Sequence, residues 1–273
     1  MSNPFARPRL PNQGMQADGS PTSPASPSSR LQVLLAHSGV CSRRHAAAWI
    51  EAGRVTVNGD VVTEPGLRIE PGAVVAVDGV PLPASGHEPL RTLLLYKPRG
   101  LICSADASEG PTVFECIPRI RERLVPVGRL DKESEGLLLL SNDGDLVNRL
   151  THPRYGHTKE YLVTVRGDLT ERTFHALNAP MVLEDDGTRL APVRVEYVDG
   201  DTFSRPPRHR LRFFLHEGRN RQIRRMCEQV GLDVSRLIRL AVNDLRLPPS
   251  FRPGDWRELS PSELNSLKRS YGT

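Results

Sequence analysis

The sequence predicts an α+β protein of two domains, a small one followed by a larger one built on a mixed, largely antiparallel sheet. Three observations lead there. Strand-like segments are interspersed with segments of helical periodicity, and no unit repeats. A valine-rich stretch is broken by Asn58-Gly59, a dipeptide suited to a two-residue hairpin turn. A proline- and glycine-containing stretch without periodicity, residues 83–91, reads as a linker between the two parts.

Residues 1–28 hold six prolines, repeated Ser-Pro steps and almost no aliphatic side chains, so they cannot bury enough apolar surface to offset ordering entropy; a disordered tail is expected. The first domain, residues 30–82, opens where Leu31, Leu34 and Leu35 recur at helical spacing and Gly39 stops the run. Ser42 is suited to cap a second helix, with Ala46, Trp49 and Ile50 on its apolar face and Gly53 as its left-handed C-terminal residue. Arg43, Arg44 and His45 fall in its first turn. Val55 and Val57 lead into the Asn-Gly turn, and Val61, Val62, Val74, Val75 and Val77 extend a small sheet. In the second domain, residues 92–265, strands are expected at 93–96, 137–140, 161–166, 193–198 and 211–215, and helices at 145–150, 170–177 and 220–230. Trp256, Arg257, Glu258 and Leu259 precede a short helix whose start carries the capping-box pair Ser260 and Glu263, with Pro261 at the first helical position; residues 266–273 form the C-terminal end.

Composition excludes several classes. With 38% hydrophobic residues the 273-residue chain can fill real cores, so disorder throughout is excluded. The longest purely aliphatic run, residues 137–140, is far short of the roughly 20 residues of a membrane span. No apolar block follows a basic start, so a cytoplasmic location is expected. Cys41, Cys103, Cys116 and Cys227 are scattered, with no Cys-x-x-Cys and no histidine at ligand spacing; reduced thiols and no metal site are expected. The net charge of +5 is too mild to make the whole surface a polycation, so any nucleic-acid site must be local. Only four lysines occur, Lys97, Lys132, Lys159 and Lys268, against 33 arginines. Either a GC-rich genome or selection for phosphate and base contacts accounts for that excess, and composition alone does not decide between them. Charges over residues 30–80 cancel, five against five, whereas residues 216–239 hold six arginines against three acids.

The most informative stretch is Gly128-Arg129-Leu130-Asp131-Lys132-Glu133-Ser134-Glu135-Gly136, which runs into Leu137-Leu138-Leu139-Leu140 and then Ser141-Asn142-Asp143-Gly144. A short acid and a forked cation on a loop that enters a buried strand have the rigid base that catalysis needs. Gly128 and Gly136 permit close approach of a large ligand or an unusual backbone. Alone, Asp131 reads as a structural loop aspartate. The whole word, however, resembles the signature of the pseudouridine synthases of the RsuA/RluB/RluE/RluF group, with Ser134 in place of the family's common threonine. Three further segments match in order: Lys97-Pro98-Arg99-Gly100, Lys159-Glu160-Tyr161-Leu162-Val163, and Glu217-Gly218-Arg219-Asn220-Arg221-Gln222-Ile223-Arg224-Arg225-Met226. Within the group the motifs look closest to RluF-type enzymes acting on 23S ribosomal RNA. Residues 30–80 resemble the S4 RNA-binding domain.

The resemblance implies an RNA-modifying isomerase in which a uridine is flipped out of folded RNA and converted to pseudouridine. It implies Asp131 as the reacting carboxylate, Tyr161 stacked on the uracil and Arg224 ion-paired with Asp131. Arg129 would hold the vacated position. RNA contacts are expected from Arg43, Arg44 and Arg54 in the first domain and from Lys97, Lys159, Arg221 and Arg225 in the second. The isomerisation changes no redox state and adds no group, so no cofactor is expected. The partner would be 23S rRNA or a pre-ribosomal particle, with no membrane, and the protein a monomer. Small-subunit rRNA or tRNA as target, and a non-catalytic ribosome-assembly factor, are the alternatives.

Overall fold

The computed structural model describes residues 29–82, 89–120 and 122–269. The expected tail, most of the linker and residues 270–273 lie outside them. The described residues divide into two compact units, one built from residues 29–36 and 41–82 and the other from residues 37–40 and from residue 89 onward.

The first unit runs β1 (Ser29–Arg30), α1 (Leu31–His37), α2 (Arg43–Glu51), β2 (Val55–Val57), β3 (Asp60–Val62), β4 (Arg68–Ile69), β5 (Val75–Val77) and β6 (Val80–Pro81). Its four-stranded antiparallel sheet has the order β3-β2-β5-β6, and β1 pairs with β4 in a separate ribbon. Ser42 caps α2 as expected: its side chain accepts from the His45 amide at 3.1 Å, satisfying one of the helix's orphan donors. The β2–β3 turn uses Asn58 and Gly59 at φ 53° and 95°. The same chemistry recurs unforeseen at Asp78 and Gly79, φ 50° and 79°, between β5 and β6. Leu31, Leu35, Ala46, Ile50, Val55 and Val75 fill the core, so the helical and strand periodicities converge on one interior.

The second unit runs β7 (Thr92–Lys97), β8 (Val125–Val127), β9 (Glu135–Ser141), α3 (Gly144–Thr151), β10 (Lys159–Arg166), α4 (Glu171–Asn178), β11 (Arg194–Asp201), β12 (Arg208–Leu215), α5 (Gln222–Gln229), β13 (Asp233–Val242), β14 (Leu245–Arg246), β15 (Trp256–Glu258) and α6 (Pro261–Arg269). The strands form one sheet in the order β11-β12-β10-β13-β9-β7-β15, with β14 on β13 and β8 on β9. Every pairing is antiparallel except β13 with β9. The four-leucine run is a strand because both faces of β9 are covered. Leu137 and Leu139 pack with Leu146 and Leu150 of α3, while Leu138 and Leu140 pack with Val113, Ile117 and Leu124. On α5, Ile223, Met226 and Cys227 turn one stripe into the core beneath Tyr161, Val163 and Val165 of β10. No helix of the described residues is long and apolar enough to cross a membrane.

The ten-residue β13 is absent from the sequence-based expectation, because Arg236 and Arg239 interrupt its apolar pattern. Both have partners on or beside β9. Arg236 forms a fork with buried Glu135 at 3.1 and 2.9 Å, and Arg239 donates to Leu137 O at 2.7 Å. Gly136, read from sequence as room for a ligand, makes room for backbone instead. Its φ is +106°, and a Cβ there would lie 2.6 Å from Arg239 N and closer still to Arg239 O.

Candidate functional site

The loop from Gly128 to Ser134 lies between β8 and β9 and is held by its own backbone. Gly128 enters it at φ +75°. Ser134 N donates to Asp131 O at 3.0 Å, closing a tight turn, and Gly100 N donates to Lys132 O at 2.8 Å. The Cys103 thiol meets the peptide of Leu130 from both sides, donating to its carbonyl at 3.3 Å and accepting from its amide at 3.4 Å. Lys97 anchors the far end. Its ammonium donates to Ser134 O at 2.8 Å and Pro98 O at 3.0 Å, and more weakly to Lys132 O at 3.5 Å.

That anchoring corrects one expectation. Lys97 was placed among the RNA contacts, but it is fully buried, and carbonyls replace the water its charge would otherwise need. Burial pushes its pKa down, partly opposed by Cys103, Asp131 and Glu133. Its effect on substrate can only pass through the loop.

Asp131 is half-buried and faces a cavity of about 80 Å³ whose walls include Tyr161, Arg129, Arg221, Arg224 and Leu237. The residue expected to react, Asp131, the one expected to stack on the base, Tyr161, and the one expected to pair with Asp131, Arg224, therefore border one space. Tyr161 is 8% exposed, seated in β10 between its register partners Phe213 and Arg239. The direct ion pair between Asp131 and Arg224 is not formed among the described residues. The Arg224 guanidinium is turned instead to two carbonyls, Val234 O and Glu133 O, each at 3.1 Å, and its buried Nε has no partner. Burial and the nearby Arg221 lower its pKa while Asp131 opposes them, so the two charges are coupled through space. Arginine's high intrinsic pKa keeps it charged.

The expected RNA contacts separate into three kinds. Arg43 and Arg44 are exposed at the start of α2, and Arg129 and Arg221 are exposed at the cavity; none of the four has an acidic partner among the described residues. Arg221 sits at φ +47° as the N-cap of α5. Arg54 and Arg225, by contrast, are paired with acids of the chain itself, so any RNA contact they make competes with those pairs. Arg54 forks onto Asp78 and lies 5.0 Å over the Trp49 ring. Arg225 forks onto Asp185 and reaches Asp186 at 2.7 Å, and with Thr188 it holds Asp186 down at about 2. Lys159 lies apart from both groups, half-buried with its pKa pushed down to about 8, first by burial and then by Arg239.

A second cavity of about 150 Å³ adjoins the first, with Arg129, Tyr161 and Gly218 common to both. Lys159, His157, His216, Glu217 and Arg239 supply its polar wall, and Leu137, Leu139 and Leu150 its apolar one. Arg239, Glu217 and Gln222 carry no role in the sequence reading. Glu217 and Gln222 stand inside a recognised motif, which was the available signal; Arg239 becomes visible only with β13.

Residues 91–229 match the family described as RNA pseudouridylate synthase, and residues 29–75 match the S4 domain. The chain is 39% identical over 247 residues to "Ribosomal large subunit pseudouridine synthase B" of Pseudomonas aeruginosa, covering 89% of this chain and 62% of that protein. It thus spans about three-fifths of that relative's length. The protein of the same name from Bacillus subtilis is 39% identical over 240 residues, 88% of this chain and 95% of its own. That from Vibrio cholerae is 41% identical over 246 residues, 88% and 74%. Among solved structures, one titled "Crystal structure of pseudouridylate synthase" superposes with a TM-score of 0.62 at 27% identity, over 87% of this chain and 99% of that one.

Proposed function

The chain belongs to the RNA pseudouridylate synthase family, and on that premise we propose that it converts a specific uridine of large-subunit ribosomal RNA to pseudouridine, with Asp131 as the reacting carboxylate. The observation that carries the reading is the cavity shared by Asp131, Tyr161 and Arg224, with Asp131 on a loop whose backbone is tied on several sides. In the reaction the N1–C1′ bond breaks, C5 bonds to C1′, and the proton of C5 is lost while N1 gains one. A base within folded RNA must first be flipped out. Tyr161 offers the uracil a rigid aromatic wall, and Arg129 is free to fill the vacated position.

Asp131 acts in its ionised form, as nucleophile at C1′ or as base at C2′. Arg224 lines the same cavity, and by holding Glu133 O it positions the loop next to the aspartate. Arg43 and Arg44 give the S4 unit a small cationic helix start suited to phosphate. The named relatives support the large-subunit target and carry the B designation, so the RluF-type likeness of the motifs is held at the level of the group. A monomer is proposed as the acting unit, and the rRNA substrate favours a cytoplasmic location.

Tritium release from 5-tritiated uridine in rRNA tests the reading. Asp131→Asn keeps size and shape but loses the reactive anion, so turnover is expected to vanish while RNA binding persists. Release close to wild type from that variant would overturn the assignment.

A further inference from the structure

The second cavity contains an electrostatic imbalance that the isomerisation does not use. Arg239 is 4% exposed and donates through Nε to Leu137 O at 2.7 Å; its two Nη groups have no hydrogen-bond partner among the described residues. Lys159 projects into the same space and donates only to His157 O at 3.3 Å. The two cations repel each other. Glu217 is the only carboxylate on this wall among the described residues, and it is already engaged. It accepts from Ala191 N at 2.9 Å, from Gln222 Nε2 at 3.2 Å and from Arg219 Nε at 3.0 Å. His157 is engaged too, between Arg149 O at 2.9 Å and Asn243 Nδ2 at 2.9 Å. His216 is exposed at the rim, its Nδ1 facing Thr158 Oγ1 at 3.2 Å.

Two cations, one buried and one half-buried, that share only Glu217, itself already engaged, are costly to keep, and an incoming anion would relieve both. We propose that this cavity binds a phosphodiester group of the RNA strand beside the reacting uridine, held between Lys159 and Arg239. The inference rests on the isomerase reading above and adds a binding site to it. Adjacency identifies the anion: the cavity shares Tyr161 and Arg129 with the one that Asp131 faces, and a flipped nucleotide is covalently joined to a phosphodiester on each side. The chemistry fits as well. Lys159 is a point charge, the Nη edge of Arg239 is a fork suited to two phosphate oxygens, and the leucine wall suits a ribose face.

The scarcity of lysine makes the test direct. Protein labelled with 13C at lysine Cε has only four such positions, and Lys159→Arg removes one signal and so assigns it. The dinucleotide UpU, which has one phosphodiester, is expected to shift the Lys159 signal and raise its apparent pKa by about one unit or more, while uridine leaves it in place. An unmoved signal with UpU, or an equal response to uridine, overturns the proposal. In tritium release on rRNA, Lys159→Gln is expected to raise KM about tenfold with kcat little changed, and Lys159→Arg to recover most of the loss. A fall in kcat with KM unchanged also overturns it. Failure of the isomerase reading has a different signature: no tritium release from the unmodified protein while the lysine spectrum still responds to UpU.

Discussion

Replacing Gly136 with alanine tests the geometry that seats the reactive loop. The added Cβ meets backbone, 2.6 Å from Arg239 N and nearer to Arg239 O, so no rotamer can relieve it and β9 and β13 must part. Forcing a methyl into a packed interior costs about 1–3 kcal/mol, and placing a non-glycine residue at φ +106° costs about 1–3 kcal/mol more. The sum, about 2–6 kcal/mol, corresponds to a fall in Tm of roughly 5–20 °C for a unit of this size. Gly100→Ala is the control, because Gly100 has φ +88° but open space where its Cβ would stand. Only the strain applies there, about half the cost, and a fall of roughly 2–12 °C is expected. Thermal unfolding followed by circular dichroism measures both. Tritium release should fall by about tenfold or more in Gly136→Ala, since Glu135 and Ser134 move with the strand. Equal Tm losses in the two variants would refute the claim that backbone collision, rather than the dihedral alone, demands glycine at 136.

Arg224→Lys keeps a charge but cannot span Val234 O and Glu133 O together; losing one charge-assisted bond is expected to lower kcat by about 10–100-fold, read by single-turnover tritium release. In salt titrations of RNA affinity, Arg43→Ala and Arg44→Ala should each reduce the log–log slope by about 0.7–0.9, whereas Arg225→Ala, whose charge is held by Asp185 and Asp186, should leave it nearly unchanged. Lys159 sets a pH dependence. Its folded-state pKa, about 8, lies below the ordinary 10.5, so the unfolded chain binds more protons between those values and stability rises as pH climbs from about 8 to 10.5. Lys159→Met should therefore be more stable than the parent at pH 7, by about 1–2 kcal/mol after solvent screening, and the gap should close above pH 10 in urea titrations.

Local chemistry was legible in the sequence wherever the determining partner is near in the chain. Ser42 and Ser260 cap their helices, Asn58-Gly59 turns its hairpin, and the loop before the four leucines does carry Asp131 to a cavity. What the sequence hid is the pairing of charges across long separations. Arg225 and Arg54 look like free cations until Asp185 and Asp78, 40 and 24 residues away, arrive beside them. Lys97 looks like a surface lysine until the 129–134 loop folds over it. Exposed Arg236 and buried Arg239 broke the apolar pattern that marks a strand, so the element that brings Arg239 to the second cavity was also the one missed.

Besides Lys97, Gly100 and Cys103, the groups that hold the Asp131 loop and the strand after it come from far down the chain. Arg224 reaches Glu133 across 91 residues, Arg236 reaches Glu135 across 101, and Arg239 reaches Leu137 across 102. Closing contacts of such separation is entropically expensive and slow. A nascent chain growing at about 5–20 residues per second exposes Asp131 for roughly 5–20 seconds before β13 has been synthesised. During that interval the carboxylate is present but its surroundings are not. On the proposed function, turnover is therefore expected to begin only once the last central strand has arrived.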